Sequence, residues 1–236
     1  MAASPGSKSC TGMDCIDRIV GGGFPIDGMI SVSGPCGSGK TNFGLEYLIR
    51  GAMNGQRGLY ISTVHSPDKL LTYLPKLDYA DGKLFEKGTV VLKHIDDMGS
   101  GERDDGKITK SESFAMISDI EEAIKEQKAS RMVLDATNPI LVEMEGWVAR
   151  SFLLALSKVL FELKCTGLLI TEGDVPDCQE HTMSDGIIKL GTAVRRGDNY
   201  RVMEVLKMSG AAHSRAKYVM DMTSEGLLIT PMLRGF

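Results

Sequence analysis

No stretch of this chain approaches the roughly 18 consecutive apolar residues of a bilayer-crossing helix, so the sequence excludes a membrane span. It also lacks any C-x-x-C pair. Its five cysteines, Cys10, Cys15, Cys36, Cys165 and Cys178, are odd in number and scattered. That pattern argues against a disulfide framework and a zinc site, and places the chain in a reducing cytoplasm. An excess of positive charge is missing too: 27 Lys and Arg stand against 31 Asp and Glu, for a net charge of −4 and a pI near 5.6. Such a balance is unsuited to a dedicated nucleic-acid binder. The start of the chain has no apolar core of a secretory signal. Residues 1–10 are expected to be a loose tail and 11–236 a single domain. No linker rich in Pro, Ser or Gly divides the chain, and no repeat recurs. What is there is ordinary for a globular protein: 42% hydrophobic and 25% charged residues over 236 positions, enough for one large core.

The pattern of apolar runs predicts an α/β fold. Leu59–Thr63, Val90–Ile95, Arg131–Ala136 and Gly167–Thr171 read as short buried strands. Helices are predicted between them, at Thr41–Asn54, Ser66–Leu74, Ser113–Lys128 and Trp147–Lys164. Ser66 and Pro67 give the second helix an N-cap and a proline at its first position. Phe114, Ile117, Ile120 and Ile124 give the third an apolar face. Strand and helix in alternation predict a mostly parallel central sheet flanked by helices. After Thr171 the pattern changes to strand-like runs at Gly186–Leu190, Tyr200–Leu206, Lys217–Met222 and Gly226–Thr230. These predict an antiparallel C-terminal extension at one sheet edge. Residues 96–110 form a polar, Gly-bearing loop.

Residues 34–41 read Gly34-Pro35-Cys36-Gly37-Ser38-Gly39-Lys40-Thr41, a complete G-x-x-x-x-G-K-[ST] phosphate-binding loop. The apolar run Met29–Val32 precedes it, and a helical pattern through Phe43, Leu45, Leu48 and Ile49 follows. That is the strand–loop–helix setting the motif requires. Glycines let several N–H groups converge on one anion, and the helix dipole adds positive potential there. The predicted nucleotide-binding set is Gly34, Cys36, Gly37, Ser38, Gly39, Lys40, Thr41 and Asn42. Lys40 reaches the β- and γ-phosphates and the Thr41 hydroxyl reaches Mg²⁺. The implied cofactors are ATP and Mg. The Cys36 thiol sits inside the loop, either as a redox-responsive group or as a small side chain that fits.

Two further blocks flank this motif. Thr11-Gly12-Met13-Asp14-Cys15-Ile16-Asp17 and Gly21-Gly22-Gly23-Phe24-Pro25-Ile26-Asp27-Gly28 precede it; Asp185-Gly186-Ile187-Ile188-Lys189-Leu190 and Arg201 through Lys207-Met208-Ser209-Gly210 close the chain. Together they resemble the KaiC-like ATPases of the RecA superfamily over roughly residues 11–230, and the resemblance implies a RecA-like P-loop NTPase fold. Asp135, ending an apolar strand, resembles a Walker B aspartate that holds Mg²⁺ through a water; the plainer alternative is a capping Asp. Thr171 and Glu172 resemble the sensor position near the γ-phosphate, or form a polar strand end. The archaellum accessory protein FlaH is a close alternative relative, sharing Tyr60-Ile61-Ser62-Thr63.

The chain departs from the family at two places. Members that hydrolyse ATP carry a glutamate pair after the second strand, where this chain has Val64 and His65. Valine cannot accept a proton; a positioned general base is worth about 10²–10⁴ in rate, or about 3–5 kcal/mol of barrier. His65 is the replacement candidate for a catalytic base, or a residue at a helix entrance. The family's K-M-R-G presents a Lys and an Arg to a neighbouring subunit's nucleotide. Here Lys207 remains, as a catalytic candidate in trans, and Ser209 stands for the Arg. Arg195, Arg196 and Arg201 are possible compensators. The expectation is an ATP–Mg²⁺ binding protein that acts as a nucleotide-switched assembly or signalling device, with weak or no hydrolysis. It self-associates through the nucleotide interface as a ring or dimer, alongside a further protein partner. Open beside it stand a slow ATPase or autokinase using His65, Glu143 or Glu145 as base, and a RadA-type DNA recombinase. The acidic segment 173–180 speaks against the latter.

Overall fold

Branched and aromatic residues in runs of five or six cannot leave water singly, and here they do so as adjacent strands of one sheet. A computed structural model describes residues 8–74, 77–98, 107–173, 179–195 and 197–232. In chain order the elements are β1 (Lys8–Ser9), α1 (Asp14–Ile19), β2 (Phe24–Pro25), β3 (Met29–Gly34), α2 (Lys40–Met53), β4 (Gly58–Ser62), α3 (Pro67–Leu71), α4 (Lys83–Glu86) and β5 (Val90–His94). A 3-10 turn at Ile95–Met98 leads towards α5 (Lys110–Gln127). There follow β6 (Arg131–Asp135), α6 (Asn138–Leu141), α7 (Gly146–Glu162), β7 (Thr166–Glu172), α8 (Gln179–Met183), β8 (Gly186–Arg195), β9 (Asp198–Met208), β10 (Tyr218–Thr223) and β11 (Gly226–Pro231).

Among the described residues the main sheet has nine strands, ordered β11-β10-β9-β8-β3-β7-β6-β4-β5. Strands β8, β3, β7, β6, β4 and β5 pair in parallel. From β9 outward the pairing is antiparallel. The antiparallel extension therefore begins one strand later than the sequence implies, because β8 still runs alongside β3. Helices cover both faces. One core layer joins α1 and α2 to the sheet through Ile16, Phe43, Tyr47 and Leu48. The other joins α5 and α7 through Ile117, Ile120, Phe152 and Leu156. Each such fully buried side chain contributes about 1.5–3 kcal/mol of transfer free energy.

The helix ends follow their local chemistry. Ser66 caps α3, accepting from the Lys69 N–H, with Pro67 at the first position. Helix α5 starts three residues before the predicted Ser113, because Thr109 and Glu112 close a reciprocal capping box. Phe114, predicted on its apolar face, is exposed, while Met116 joins the buried face. Of the tail expected over 1–10, residues 8–10 are held in place. Lys8–Ser9 pair with Phe24–Pro25, and the Arg131 guanidinium donates to the Cys10 carbonyl. Among the described residues no helix is long and apolar enough to cross a membrane.

Candidate functional site

Strand β3 delivers Gly34 to the carboxyl edge of the sheet, and α2 starts at Lys40. The turn between them uses positive φ at Gly37 (77°) and Gly39 (97°), which glycine adopts without the steric cost a Cβ would carry. At Gly39 a Cβ would also overlap the terminal methyl of Met222, on β10. Gly39 occupies the N-cap of α2 and no side chain caps that end, so the helix presents its positive pole to the loop. Lys40 is buried and donates to the carbonyls of Gly34 at 2.8 Å and Pro35 at 2.9 Å. Ser38 is buried and its hydroxyl has no partner among the described residues. Cys36 is an exposed free thiol. The Asn42 amide donates to the Met222 sulfur at 3.3 Å. From β9, Arg201 Nε donates to the Gly37 carbonyl at 3.1 Å.

Asp135 ends β6, in register with Ser62 of β4 and Ile170 of β7. Its Oδ2 accepts from the Thr41 hydroxyl at 2.8 Å and from the Tyr60 hydroxyl. Burial first, then the Asp135 charge, holds the Tyr60 hydroxyl well above the ordinary tyrosine range, so it stays a donor. Thr63 fixes the residues on both sides. Its N–H donates to the Asp135 carbonyl at 2.7 Å. Its hydroxyl donates to the Ala136 carbonyl at 2.9 Å and accepts from the Ala136 N–H at 3.0 Å.

The other predicted residues are placed less centrally. Thr171 and Glu172 end β7 opposite Ser33 and Gly34. The Thr171 hydroxyl lies 3.1 Å from that of Thr137, which donates to Glu180 Oε1 at 2.9 Å. Glu172 is exposed, and its backbone exchanges hydrogen bonds with the Asn138 side chain. His65 follows β4 at the same carboxyl edge, with its ring edge-on to Tyr73 at 6.3 Å between centroids. Val64 beside it is 55% exposed. Both N–H groups donate to the Ser62 hydroxyl. Lys207 sits six residues along β9 from Arg201, towards the opposite end of the sheet, and its ammonium donates to the Ser184 carbonyl at 2.7 Å. The Glu145 carboxylate accepts from the Trp147 indole N–H at 2.8 Å. Arg196, the Arg195 side chain and residues 174–178 lie outside the described residues.

Sequence reasoning missed Tyr60, Met222 and Thr137. Tyr60 was visible only as one aromatic in an apolar strand; the β4–β6 register puts it beside Asp135. Nothing in the sequence links Met222 to Gly39, which lies 183 positions earlier. Thr137 has a weak signal, as a hydroxyl two residues beyond the strand-ending aspartate.

The geometry can be set beside known proteins. The family model described as the KaiC ATPase matches residues 9–234. A UPF0273 protein of Pyrococcus horikoshii is 28% identical over 236 aligned residues, covering 94% of this chain and 93% of that protein. The circadian clock oscillator protein KaiC of Parathermosynechococcus lividus is 25% identical over 233 residues, covering 95% of this chain but 42% of that protein. The crystal structure of a KaiC-like protein from Pyrococcus horikoshii superposes with a TM-score of 0.80 at 22% identity, covering 95% of this chain and 99% of the other. That last likeness supports the fold alone.

Proposed function

The chain belongs to the KaiC ATPase family, a nucleotide-binding, ATPase-type function, and from that premise we propose that it is a switch operated by Mg-ATP occupancy, with weak or no hydrolysis. The observation that carries the reading is the joining of Thr41 and Asp135 at 2.8 Å beside a loop whose ammonium is already poised on carbonyls. The loop fits a triphosphate. Ser38 offers a buried hydroxyl without a partner among the described residues, the α2 N-terminus has no side-chain cap, and Lys40 can exchange carbonyl oxygens for phosphate oxygens. Thr41 and Asp135 would hold Mg²⁺, which supplies charge neutralisation between the β- and γ-phosphates. Arg201 is a cation at the loop of its own chain, positioned to approach bound phosphate.

Weak hydrolysis rests on what stands where a base belongs. Val64 has no proton acceptor, and His65 packs against Tyr73. Its side chain makes no hydrogen bond to Asp135 or Thr41 among the described residues. The carboxylate of Glu145, another candidate base, is engaged by Trp147. Lys207 lies remote from its own loop along β9, with its ammonium on the Ser184 carbonyl; in this reading it serves the nucleotide of a second copy, and the protein self-associates through that interface. A ligand shifts a conformational equilibrium by its differential affinity for the two states, and turnover is not required for that.

Light scattering after size exclusion, run without nucleotide, with Mg-ATP and with Mg-ADP, tests the switch. A mass change specific to Mg-ATP supports it. An unchanged mass together with steady phosphate release, lost in Lys40→Ala, overturns it in favour of an ordinary ATPase.

A further inference from the structure

Between α6, α7 and α8, at the end of β7, lies a cavity of about 330 Å³, lined by Asn138, Leu141, Val142, Met144, Gly146, Ala149, Thr171, Gln179 and Glu180. Its size falls within the range of small-ligand pockets. Four of those residues are apolar side chains from α6, its following loop and α7. The polar groups sit together. Glu180 is a carboxylate only 5% exposed, yet among the described residues its single hydrogen bond from another side chain comes from the Thr137 hydroxyl at 2.9 Å. Among the described residues no lysine, arginine or histidine forms an ion pair with it. Beside it, Gln179 Oε1 is buried without a hydrogen-bond partner among the described residues. A buried charge is costly unless paired, and a buried acceptor without a donor forfeits a hydrogen bond. Both deficits face one concave space, and both call for a donor that carries positive charge.

We propose that this cavity is a second binding site, for an alkylammonium or guanidinium group on an apolar stem. The cation pairs with Glu180 and donates to Gln179 Oε1, while the methylenes lie against Leu141, Met144 and Ala149. The ligand is a free amine or a lysine or arginine side chain of another protein; the recognising chemistry is the same. The site needs no nucleotide, so its fate is separable from that of the phosphate-binding loop.

The test uses the full chain without nucleotide. Amide resonances of Gly146 and Ala149 are followed while n-butylammonium chloride is added, with n-butanol as the uncharged control and a blocked Gly-Lys-Gly peptide as the side-chain probe. The expected result is a saturable shift with the ammonium and the peptide, none with n-butanol, and a loss of at least about tenfold in affinity in Glu180→Gln. Tighter binding of the peptide than of the amine identifies the source as protein; the reverse identifies a free amine. Because Glu180→Gln changes a buried residue, Val142→Lys provides a second arm at a lining position 78% exposed. Its own ammonium should fill the site, abolish n-butylammonium binding and raise the melting temperature, a gain that disappears when Glu180→Gln is added. Equal binding by the wild type, Glu180→Gln and Val142→Lys, or no saturable shift with either cation, overturns the proposal.

Discussion

Thr41 of helix α2 donates its hydroxyl proton to Asp135 Oδ2, at the end of β6, across 2.8 Å. Two segments separated by 94 positions meet there, and Tyr60 donates to the same oxygen from a third. The carboxylate is therefore held by two hydroxyls at the edge of the phosphate-binding loop. Replacing it by an amide keeps the shape and removes the charge. Asp135→Asn should fold with unchanged secondary structure and lose at least about tenfold in Mg-ATP affinity. Calorimetric titrations with Mg²⁺ and with a chelator check this. The loss should shrink when the metal is removed, if the missing charge acts through the ion as proposed.

Arg131, at the base of β6, ties three segments together. Its guanidinium donates to the Thr11 carbonyl at 2.6 Å, to the Tyr47 carbonyl at 2.7 Å and to the Cys10 carbonyl. It also lies 4.5 Å from the centroid of the Tyr47 ring. Gly51 makes room for it, for a Cβ there would stand 2.5 Å from Arg131 Cδ. Arg131→Met leaves three carbonyls without that donor, each worth about 1–3 kcal/mol when buried. The expected loss is about 3 kcal/mol or more in a urea unfolding curve. Gly51→Ala should reproduce part of it, and both should speed hydrogen exchange at residues 11–13.

The fold was legible where a residue's neighbours in the chain decide its environment. The Gly34–Thr41 loop between Met29–Val32 and a helix is such a case, since its geometry is set within eight residues. The Ser66–Pro67 cap is another. The start of α5 is also legible in Thr109-x-x-Glu112, whereas the apolar period alone points to Ser113. Phe114 fitted that period and still points to solvent, because the buried face of α5 is centred on Met116, Ile117 and Ile120. Other features depend on strand register or on distant segments. Tyr60 meets Asp135 only because β4 lies beside β6. Met222 reaches Gly39 only because the C-terminal hairpin folds back over the loop. No local pattern encodes those meetings.

Stability should fall on the alkaline side. Burial raises the hydroxyls of Tyr47, Tyr60 and Tyr79 above the ordinary tyrosine value, and pushes the Cys165 thiol up to about 12. Each group keeps its proton to higher pH folded than unfolded. Its contribution is complete below the unfolded pKa, about 8.5 for cysteine and about 10 for tyrosine. It is lost as pH rises through the folded value. Urea midpoints should hold level near neutrality and decline from about pH 9 upward. Tyr60→Phe should flatten that decline while lowering the neutral midpoint, because Asp135 loses a donor. A midpoint level to pH 11 would contradict the assignment.

Turnover should be slow in the wild type and recoverable by design. Val64→Glu places a carboxylate where none now stands, and a positioned base is worth about 10²–10⁴ in rate. A rise of about tenfold or more in steady-state phosphate release is the expected outcome. His65→Ala should leave the wild-type rate nearly unchanged. A collapse of activity in His65→Ala would instead make that histidine the working base.

The most direct measurement is a calorimetric titration of the intact chain with Mg-ATP, beside Lys40→Ala. Saturable heat from the wild type and its loss in the variant are predicted, because in the proposed reading the ammonium now resting on the Gly34 and Pro35 carbonyls would grip the phosphates. No heat from the wild type at millimolar nucleotide, or equal heat from both proteins, would contradict the account at its root.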